Sequence, residues 1–445
     1  MAGSVYDSPL YHLLFPAGDV GKLFTDSAEI RAMLLVEGAL AQAQGALGVI
    51  PETAAAFIHR AAMEVQIDPA GLAAATGQNG VTVPGLVAAF RRAMEAPDYA
   101  QYLHWGATSQ DIMDTGLMLR LRQFLSLLER DMRTTLVALA RLATPHAETP
   151  MAARTYGQHA TPTSFGAVAA GWGQPLLTLL DELPALRARL VVSLSGAAGT
   201  SAALGPQADA TRAAMAKSLG LADSGQGWHA DRSSLQAICA WATRVATACG
   251  KMGEDLLLLT QSGIAEVTLD GAGGSSTMPQ KQNPVGPSAM VALARQIVAL
   301  NGVMQGAGLH REQRDGAAWF SEWLTLPQLC LGTAATLSHA QRLAETLTPD
   351  PAAMRATLDG GQGLIHAEAL SFRLSETMPR PEAQARVKAL CKEALAEKRD
   401  LAGLARAAFP DLPLDDVFDP SFQMGQAPDT ARRFAQQVAN LPDPG

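Results

Sequence analysis

Aromatic residues and clusters of positive charge are scarce in this chain of 445 residues. Phe, Trp and Tyr together make up 5% of it, and charged residues make up 17%. The formal net charge is −8 at pH 7, and no run of Lys and Arg provides the basic surface typical of nucleic-acid-binding proteins. Hydrophobic residues make up 48%, which is enough for a large core and excludes global disorder. Ala, Leu and Gly are plentiful, and this composition favours close-packed helices.

Cysteine is also rare, and its spacing excludes the common metal-binding patterns. Cys239, Cys249, Cys330 and Cys391 form no C-x-x-C pair and do not cluster with histidines. Scattered thiols of this kind are typical of a reducing cytosol, where they pack as small hydrophobes. A nucleophilic role for one of them stays open. No cluster of residues predicts a metal or an organic cofactor.

No stretch of the chain predicts a membrane span or an export signal. The first 19 residues include Asp7 and no basic residue before a short Leu-rich stretch. Residues 155–180 and 190–208 carry no charge, but polar residues, glycines and prolines interrupt both. We therefore expect a soluble, cytoplasmic protein.

The periodicity of apolar residues predicts five long helices. Between Asp111 and Leu142, apolar residues recur at steps of three or four, which is the spacing of one helix face. The predicted long helices span residues 111–142, 164–192, 228–264, 287–309 and 322–347, and the clearest shorter ones span residues 27–47 and 51–63. Pro175 and Pro184 are expected to kink or break the second long helix, and Pro327 lies near the start of the fifth.

This pattern predicts an all-α fold in which a central bundle of long helices is flanked by two small helical domains. The predicted domains are residues 1–110, 111–358 and 359–445. No run of alternating β-branched residues and no Asn-Gly turn between two such runs predicts a sheet, and residues 78–80 are interpreted as a loop. Helices this long leave apolar faces that one chain does not cover, which favours an oligomer.

Three polar, glycine-containing segments interrupt the helical pattern and carry most of the reactive side chains. The first, residues 104–111, has the sequence HWGATSQD and directly precedes the longest helix. Thr108 or Ser109 would serve as its N-cap, with Asp111 at the positive end of the helix dipole. Free backbone N–H groups, two hydroxyls and the His104 imidazole would also suit a bound carboxylate. The two interpretations are compatible.

The second segment, residues 154–162, has the sequence RTYGQHATP. Polar groups at this density are costly to bury without partners, so they are expected to line either solvent or a polar cavity. His159 could be structural or catalytic.

The third segment, residues 271–284, has the sequence GAGGSSTMPQKQNP and matches neither a P-loop nor a dinucleotide-binding turn. Its glycines and serines give a flexible start, whereas Pro279 and Pro284 stiffen the part that holds Lys281 and Asn283. Such a segment could be a lid over a bound ligand or a flexible linker, and spacing alone leaves both open.

The third segment resembles the GSSxMPxKxNP signature of the fumarase/aspartase superfamily. The first resembles the HxGATSQD stretch of the adenylosuccinate-lyase-like branch, and the second resembles its T-x-x-Q-x-A-x-P stretch. Shorter segments extend the likeness to the bacterial muconate cycloisomerases along essentially the whole chain; they lie at residues 195–205, 228–229, 322–327, 362–364 and 425–427. The resemblance implies a homotetramer with a twenty-helix central bundle and active sites that are each assembled from three subunits.

The resemblance also implies a cofactor-free cycloisomerase that converts 3-carboxy-cis,cis-muconate to 4-carboxymuconolactone during the breakdown of aromatic compounds. Carried over by position, Ser275 is the general base, and Lys281 supplies positive charge to its alkoxide and to the developing aci-carboxylate. Thr108, Ser109, Gln158 and Asn283 would hold the substrate carboxylates. The other candidate substrate-binding residues are His104, Thr155, Tyr156, His159, Gln280, Gln282 and Arg314.

Two departures from the superfamily pattern concern the leaving group. Tyr156 stands where a catalytic His is common, and Ser288 stands where an acidic partner is common. A hydroxide leaving group has a conjugate acid with a pKa of about 15.7 and needs an acid nearby, whereas a carboxylate has one of roughly 4 and departs unprotonated. Opening of the lactone expels a carboxylate. The absence of both the catalytic His and its acidic partner therefore favours a cycloisomerase over a fumarase, an aspartase or an adenylosuccinate lyase.

Other departures concern substrate choice. Gln280 and Gln282 flank the loop lysine where the bacterial cycloisomerases commonly have His and Arg, and Gln313 and Asp315 flank Arg314 where Glu and a small residue are usual. Losing a basic side chain weakens a bidentate carboxylate clamp. A 3-sulfomuconate is therefore an alternative substrate.

Two further alternatives belong to other classes of function. A C–N lyase similar to adenylosuccinate lyase would need a phosphate site and an acid for the leaving amine, and the absent His opposes it. A helical scaffold without activity is opposed by the intact set of Ser275, Lys281 and Asn283.

Overall fold

The computed structural model describes residues 4–271, 273–274 and 277–442, and it confirms the predicted all-α class. The helices are α1 Gly18–Leu23, α2 Asp26–Ala46, α3 Glu52–Glu64, α4 Ala73–Asn79, α5 Val83–Ala93, α6 Pro97–Ala100, α7 Ser109–Ala143, α8 Phe165–Asp181, α9 Leu183–Arg187, α10 Ala208–Leu219, α11 Ser233–Leu259, α12 Val285–Gly306, α13 Gly316–Thr346, α14 Pro351–Asp359, α15 Ala367–Leu374, α16 Arg380–Glu397, α17 Leu401–Ala408 and α18 Ala427–Ala439. Short 3-10 helices cover Pro69–Leu72, Ala202–Gln207, Gly361–His366 and Pro420–Phe422.

Eight short strands form four pairs, and within the described ranges no sheet exceeds two strands. The strands are β1 Pro150–Thr155, β2 Gln158–Ser164, β3 Val191–Val192, β4 Ala222–Asp223, β5 Val267–Thr268, β6 Gly273–Gly274, β7 Gln282–Asn283 and β8 Thr348–Pro349. β1 pairs with β2, β5 with β8 and β6 with β7, all antiparallel, whereas β3 and β4 are parallel.

The chain divides into two compact units. The first comprises the described residues up to 130 together with residues 179–247 and 293–338, and the second comprises residues 131–178, 248–292 and those from 339 onward. Apolar residues from α2, α3, α5 and the start of α7 form a core in the first unit. A smaller core in the second unit joins α15, α16 and α17 through residues such as Leu370, Val387 and Leu401. The division into three domains stays a prediction.

The longest helix forms where the apolar periodicity predicts it. Leu121, Leu125 and Leu128 are completely buried on one face of α7, and each such side chain contributes about 1.5–3 kcal/mol of hydrophobic stabilisation. The second long helix is interrupted as its prolines predict, because α8 ends at Asp181 and α9 begins at Leu183 with Pro184 in its first turn. α8 nevertheless continues through Pro175.

Two local predictions were wrong. Residues 150–164 form the β1–β2 hairpin, which the sequence analysis did not predict. Tyr156 and Gly157 make its two-residue turn with positive φ values of 53° and 73°, the backbone that a tight hairpin of this kind requires. Gln78 and Asn79 belong to α4 rather than to a loop, and Gly80 ends that helix in the left-handed region at φ 70°.

Among the described residues, no helix combines the length and the apolar composition needed to cross a membrane.

Candidate active site

The carboxylate of Asp111 organises the first polar segment in the first unit. It accepts hydrogen bonds from the backbone N–H groups of Ser195 at 3.0 Å and Gly196 at 2.9 Å. The ring Nε2 of His229 lies 2.8 Å from the same carboxylate, and both side chains are buried. Three segments that are distant in sequence, around residues 111, 195 and 229, are therefore joined at one buried charge.

The same carboxylate also caps α7. The helix begins at Ser109, so Thr108 occupies the N-cap position, and its backbone N–H donates to Asp111 Oδ2 at 3.0 Å. A carboxylate three residues into a helix that accepts the N-cap N–H is half of a capping box. The side chain that caps this helix is therefore that of Asp111. The hydroxyls of the half-buried Thr108 and Ser109 stay candidates for holding a carboxylate of the substrate.

His104 has a left-handed backbone conformation, and its side chain contacts a buried acidic residue. Its φ is 62°, and its Nδ1 lies 2.6 Å from Oε1 of Glu37, whose side chain is 1% exposed. Burial lowers the pKa of His104, but the attraction of the Glu37 carboxylate outweighs it and raises the pKa above its ordinary value. The imidazole is thereby biased towards its charged form in the segment that was predicted to bind an anion.

Arg314 lies against the first segment. Its Nε donates to Oε1 of Gln110 at 2.7 Å, and Nη2 donates to Thr108 Oγ1 at 3.4 Å and to the carbonyl of Ala197 at 3.3 Å. The side chain is half-buried. A guanidinium beside two hydroxyls at a helix N-terminus is suited to binding a carboxylate.

Asp315, one of the departures beside Arg314, has a structural role. Its Oδ1 accepts the backbone N–H of Ala317 at 2.9 Å, and its Oδ2 accepts Nε of Arg311 at 2.6 Å. The Arg311 guanidinium and these backbone donors hold the pKa of Asp315 well below its usual range. An ionised Asp315 thus caps the start of α13.

In the second unit, the turn of the β1–β2 hairpin presents the second polar segment to solvent. Thr155, Gln158 and His159 are exposed, and Tyr156 is fully exposed at the turn. Gln158 and His159 line an open cavity of about 340 Å³ together with residues 357–365.

A buried ion pair anchors this hairpin. Arg154 donates two hydrogen bonds to the carboxylate of Glu266, from Nη1 at 2.9 Å and from Nη2 at 2.8 Å. Glu266 is completely buried, and the Arg154 side chain is 18% exposed. A bidentate pair of this kind fixes the direction of the strand that leads to the turn.

The third segment is closed at its base by the β6–β7 pair, in which Gly273 faces Asn283 and Gly274 faces Gln282. There is no space for a larger side chain at position 273, because a Cβ on Gly273 would lie 2.7 Å from Cγ2 of Val285. Ser275, the predicted general base, lies outside the described residues.

Lys281 and its neighbours line an open cavity of about 490 Å³ in the second unit. Gln280, Lys281 and Gln282 are exposed, and Asn283 is half-buried. Ser288, which stands where an acidic partner is common, donates its hydroxyl to the carbonyl of Pro284 at 2.8 Å at the start of α12. Its hydroxyl is therefore bound by the backbone at the helix start.

Comparison with known proteins now places the chain in a family. The model of a family described as lyase matches residues 16–299, and a 3-carboxy-cis,cis-muconate cycloisomerase from Pseudomonas aeruginosa is 39% identical over 94% of each chain. The chain belongs to this lyase family, within the fumarase/aspartase superfamily. A nitrosuccinate lyase from Streptomyces davaonensis is 37% identical over 96% of this chain and 94% of its own.

The fold agrees with that membership. A crystal structure of 3-carboxy-cis,cis-muconate lactonizing enzyme from Pseudomonas putida superposes with a TM-score of 0.88 at 35% identity, and it covers 97% of this chain and 99% of its own. The predicted superfamily is thereby confirmed.

In this lyase, the predicted site residues fall into separate groups. Thr108, Ser109 and Arg314 lie together in the first unit, whereas His104 is directed to Glu37. In the second unit, the hairpin residues and the loop residues line two different cavities. The roles of these residues stay predictions.

Sequence reasoning missed Gln110 and the buried charges behind it. Arg232 donates to the carboxylates of Asp114 and Glu322, and all three side chains are at most 2% exposed. One signal was available, since Asp111 and Asp114 place two carboxylates three residues apart at the start of a predicted helix. Their long-range partners, such as Ser193 for Asp111 and Arg232 for Asp114, are more than 80 residues away in sequence, and no local pattern identifies them.

Proposed function

We propose that this protein is a cycloisomerase that converts 3-carboxy-cis,cis-muconate to 4-carboxymuconolactone in the breakdown of aromatic compounds. The observation that carries the proposal is the 39% identity, over 94% of both chains, to a relative named for that activity. The chemistry of the three polar segments also supports the proposal.

Lactonisation joins a carboxylate oxygen of the substrate to one carbon of a C=C bond and adds a proton to the neighbouring carbon. In the reverse direction, Ser275 removes that proton, and the carboxylate leaves with the electrons of the C–O bond. The ammonium of Lys281 stabilises both the serine alkoxide and the negative charge that develops on the aci-carboxylate. Thr108, Ser109, Gln158, Asn283 and Arg314 hold the other carboxylates of the substrate.

The identities of residues 156 and 288 support a leaving group that needs no proton. Tyr156 and Ser288 stand where a catalytic His and its acidic partner are common, and the Ser288 hydroxyl donates to a backbone carbonyl. A hydroxide or amine leaving group would require an acid there, whereas a carboxylate with a conjugate-acid pKa of roughly 4 departs without one.

A second candidate is a 3-sulfomuconate cycloisomerase on the same scaffold. Gln280 and Gln282 are exposed on the cavity that Lys281 lines. Amide groups donate single hydrogen bonds in several directions, which suits a tetrahedral sulfonate better than the planar fork that binds a carboxylate in a bidentate manner. An adenylosuccinate-lyase-like C–N lyase is the less favoured alternative.

The experiment that tests the function measures kcat/KM of the purified protein for 3-carboxy-cis,cis-muconate and for the 3-sulfo compound. The reaction is followed by the loss of the ultraviolet absorbance of the muconate. 3-Carboxy-cis,cis-muconate is expected to be the best substrate, and preference for the 3-sulfo compound would favour the second candidate. Turnover of nitrosuccinate or adenylosuccinate without turnover of either muconate would contradict the proposal.

The proposal includes a homotetramer in the cytoplasm with shared active sites. Tyr156 and Lys281 are exposed, although catalysis at charged groups is favoured by exclusion of water. Val298 and Val303 also expose about half of their surface on α12, as is usual for a helix that another subunit covers. Light scattering should give four times the chain mass.

Mixing two impaired variants tests whether the sites are shared. Ser275→Ala and Arg314→Met are each expected to turn over the substrate slowly but measurably alone. If the two residues act in one site but belong to different subunits, mixed tetramers regain part of the wild-type activity. Mixed tetramers that are no more active than the two variants alone would contradict the shared-site arrangement.

A further inference from the structure

A buried cluster of charged residues lies behind the first polar segment in the first unit. Arg232 donates to Asp114 at 2.7 and 2.9 Å and to Glu322 at two distances of 2.7 Å. Its guanidinium also lies over the ring of Trp228, 4.9 Å from the centroid. Two carboxyl groups share this one guanidinium at nearly complete burial, and burial raises the pKa of Glu322 above its ordinary value.

Gln110 connects that cluster to Arg314. Its Nε2 donates to Asp114 Oδ2 at 3.1 Å and to the carbonyl of His229 at 3.0 Å, and its Oε1 accepts Nε of Arg314 at 2.7 Å. Gln110 is completely buried. Because Asp114 and His229 each provide an acceptor for one of the two amide hydrogens, the amide cannot flip, and its oxygen must face Arg314.

Arg314 is joined to this cluster through the Gln110 amide. Its Nε is used by Gln110, and Nη2 contacts Thr108 and Ala197 at longer distances of 3.4 and 3.3 Å. Within the described ranges Nη1 has no hydrogen-bond partner, and the side chain is half-buried. One edge of the guanidinium is thus fixed from behind, and the remaining N–H groups are available to a ligand.

We propose that Gln110 is a positioning residue, which fixes the orientation of the Arg314 guanidinium through an amide that is itself locked by Asp114 and His229. This inference rests on the proposed function, since it takes the ligand of Arg314 to be a carboxylate or sulfonate of the substrate. Arg232 acts one step further away, because it holds Asp114, and Glu322 in turn holds Arg232.

A double-mutant cycle separates positioning from a purely structural role. The variants are Gln110→Met, Arg314→Met and their combination, with kcat and KM measured for the better muconate. Gln110→Met is expected to lower kcat/KM about tenfold, mainly through KM, since it removes one hydrogen bond to a charged group. In the Arg314→Met background the same change is expected to have no further effect, because Gln110 acts through Arg314.

Gln44→Met is the matched control, because Gln44 is also a buried glutamine of the first unit but donates to the carbonyl of Trp105. Its effect is expected to be the same in both Arg314 backgrounds. Equal falls in kcat/KM for Gln110→Met in both backgrounds would overturn the inference. Gln110→Ala replaces the methionine variant if that variant does not fold.

A crystal structure of the Gln110→Met variant tests the inference without a measurement of activity. The Arg314 guanidinium is expected to be displaced or disordered, and an unmoved guanidinium would overturn the positioning role. If the wild-type protein converts neither muconate, the proposed function fails, whereas the displaced guanidinium still supports the positioning role.

Discussion

Replacing Arg154 with methionine tests how the hairpin of the second polar segment is anchored. The guanidinium makes two hydrogen bonds of 2.8 and 2.9 Å to Glu266, which is completely buried. Methionine keeps much of the length of the side chain but removes the charge and all donors. The variant therefore leaves a buried carboxylate without its cation.

The size of the effect follows from burial. Removing one partner of a buried ion pair costs about 3–5 kcal/mol, because the remaining charge stays desolvated. That is a large part of the roughly 5–15 kcal/mol by which domains are usually stable. The pair between Arg355 and Asp359 belongs to the same unit but exposes about half of each side chain, 51% and 56%. Exposed pairs contribute only about 0–1 kcal/mol, so Arg355→Met is a matched control.

The assay is thermal unfolding of the two variants and of Arg154→Met combined with Glu266→Gln. Arg154→Met is expected to lower the unfolding temperature clearly, Arg355→Met hardly at all, and the double variant less than Arg154→Met. Equal losses in Arg154→Met and Arg355→Met would refute the reasoning.

Three further predictions concern single positions. Tyr156→Phe should leave kcat/KM within about threefold, since general acid catalysis would contribute at least about a hundredfold, and lost turnover with intact substrate affinity would contradict the leaving-group argument. Burial raises the pKa of Cys249 to about 12, so a thiol reagent should modify only the half-buried Cys391 in the native protein and all four thiols after unfolding; native reactivity of the other three would contradict their burial. Gly173→Ala should cost about 1–3 kcal/mol of stability, because its Cβ would overlap the ring of Phe434. The control Gly171→Ala has no atom within 4 Å of its Cβ, and equal unfolding temperatures for the two variants would contradict the close contact.

The helical part of the fold could be predicted because it follows from local patterns. The apolar series between Asp111 and Leu142 repeats the helix period along nearly the whole of α7, a helix of 35 residues, and tertiary contacts bury the face that this series forms. The β1–β2 hairpin could not be predicted in this way. Its turn is Tyr156-Gly157 rather than Asn-Gly, and β2 contains Pro162, which is unusual within a strand.

The candidate site was predictable only where its residues are neighbours in sequence. The three polar segments could be recognised as motifs, and Arg314 was identified by resemblance. The contacts that hold Arg314 and Arg154 could not be identified, because Gln110 lies 204 residues from Arg314 and Glu266 lies 112 residues from Arg154. Hydrogen bonds between residues this far apart depend on the tertiary fold, and no local propensity encodes them.

The most direct measurement is the rate at which wild-type protein and its Ser275→Ala variant convert 3-carboxy-cis,cis-muconate, followed by ultraviolet absorbance at equal concentrations of assembled protein. The wild type should form the lactone, and the variant should be slower by about 10²–10⁴-fold, the usual contribution of a positioned proton-transfer group. Lactone formation at the wild-type rate by the alanine variant would contradict the proposed chemistry.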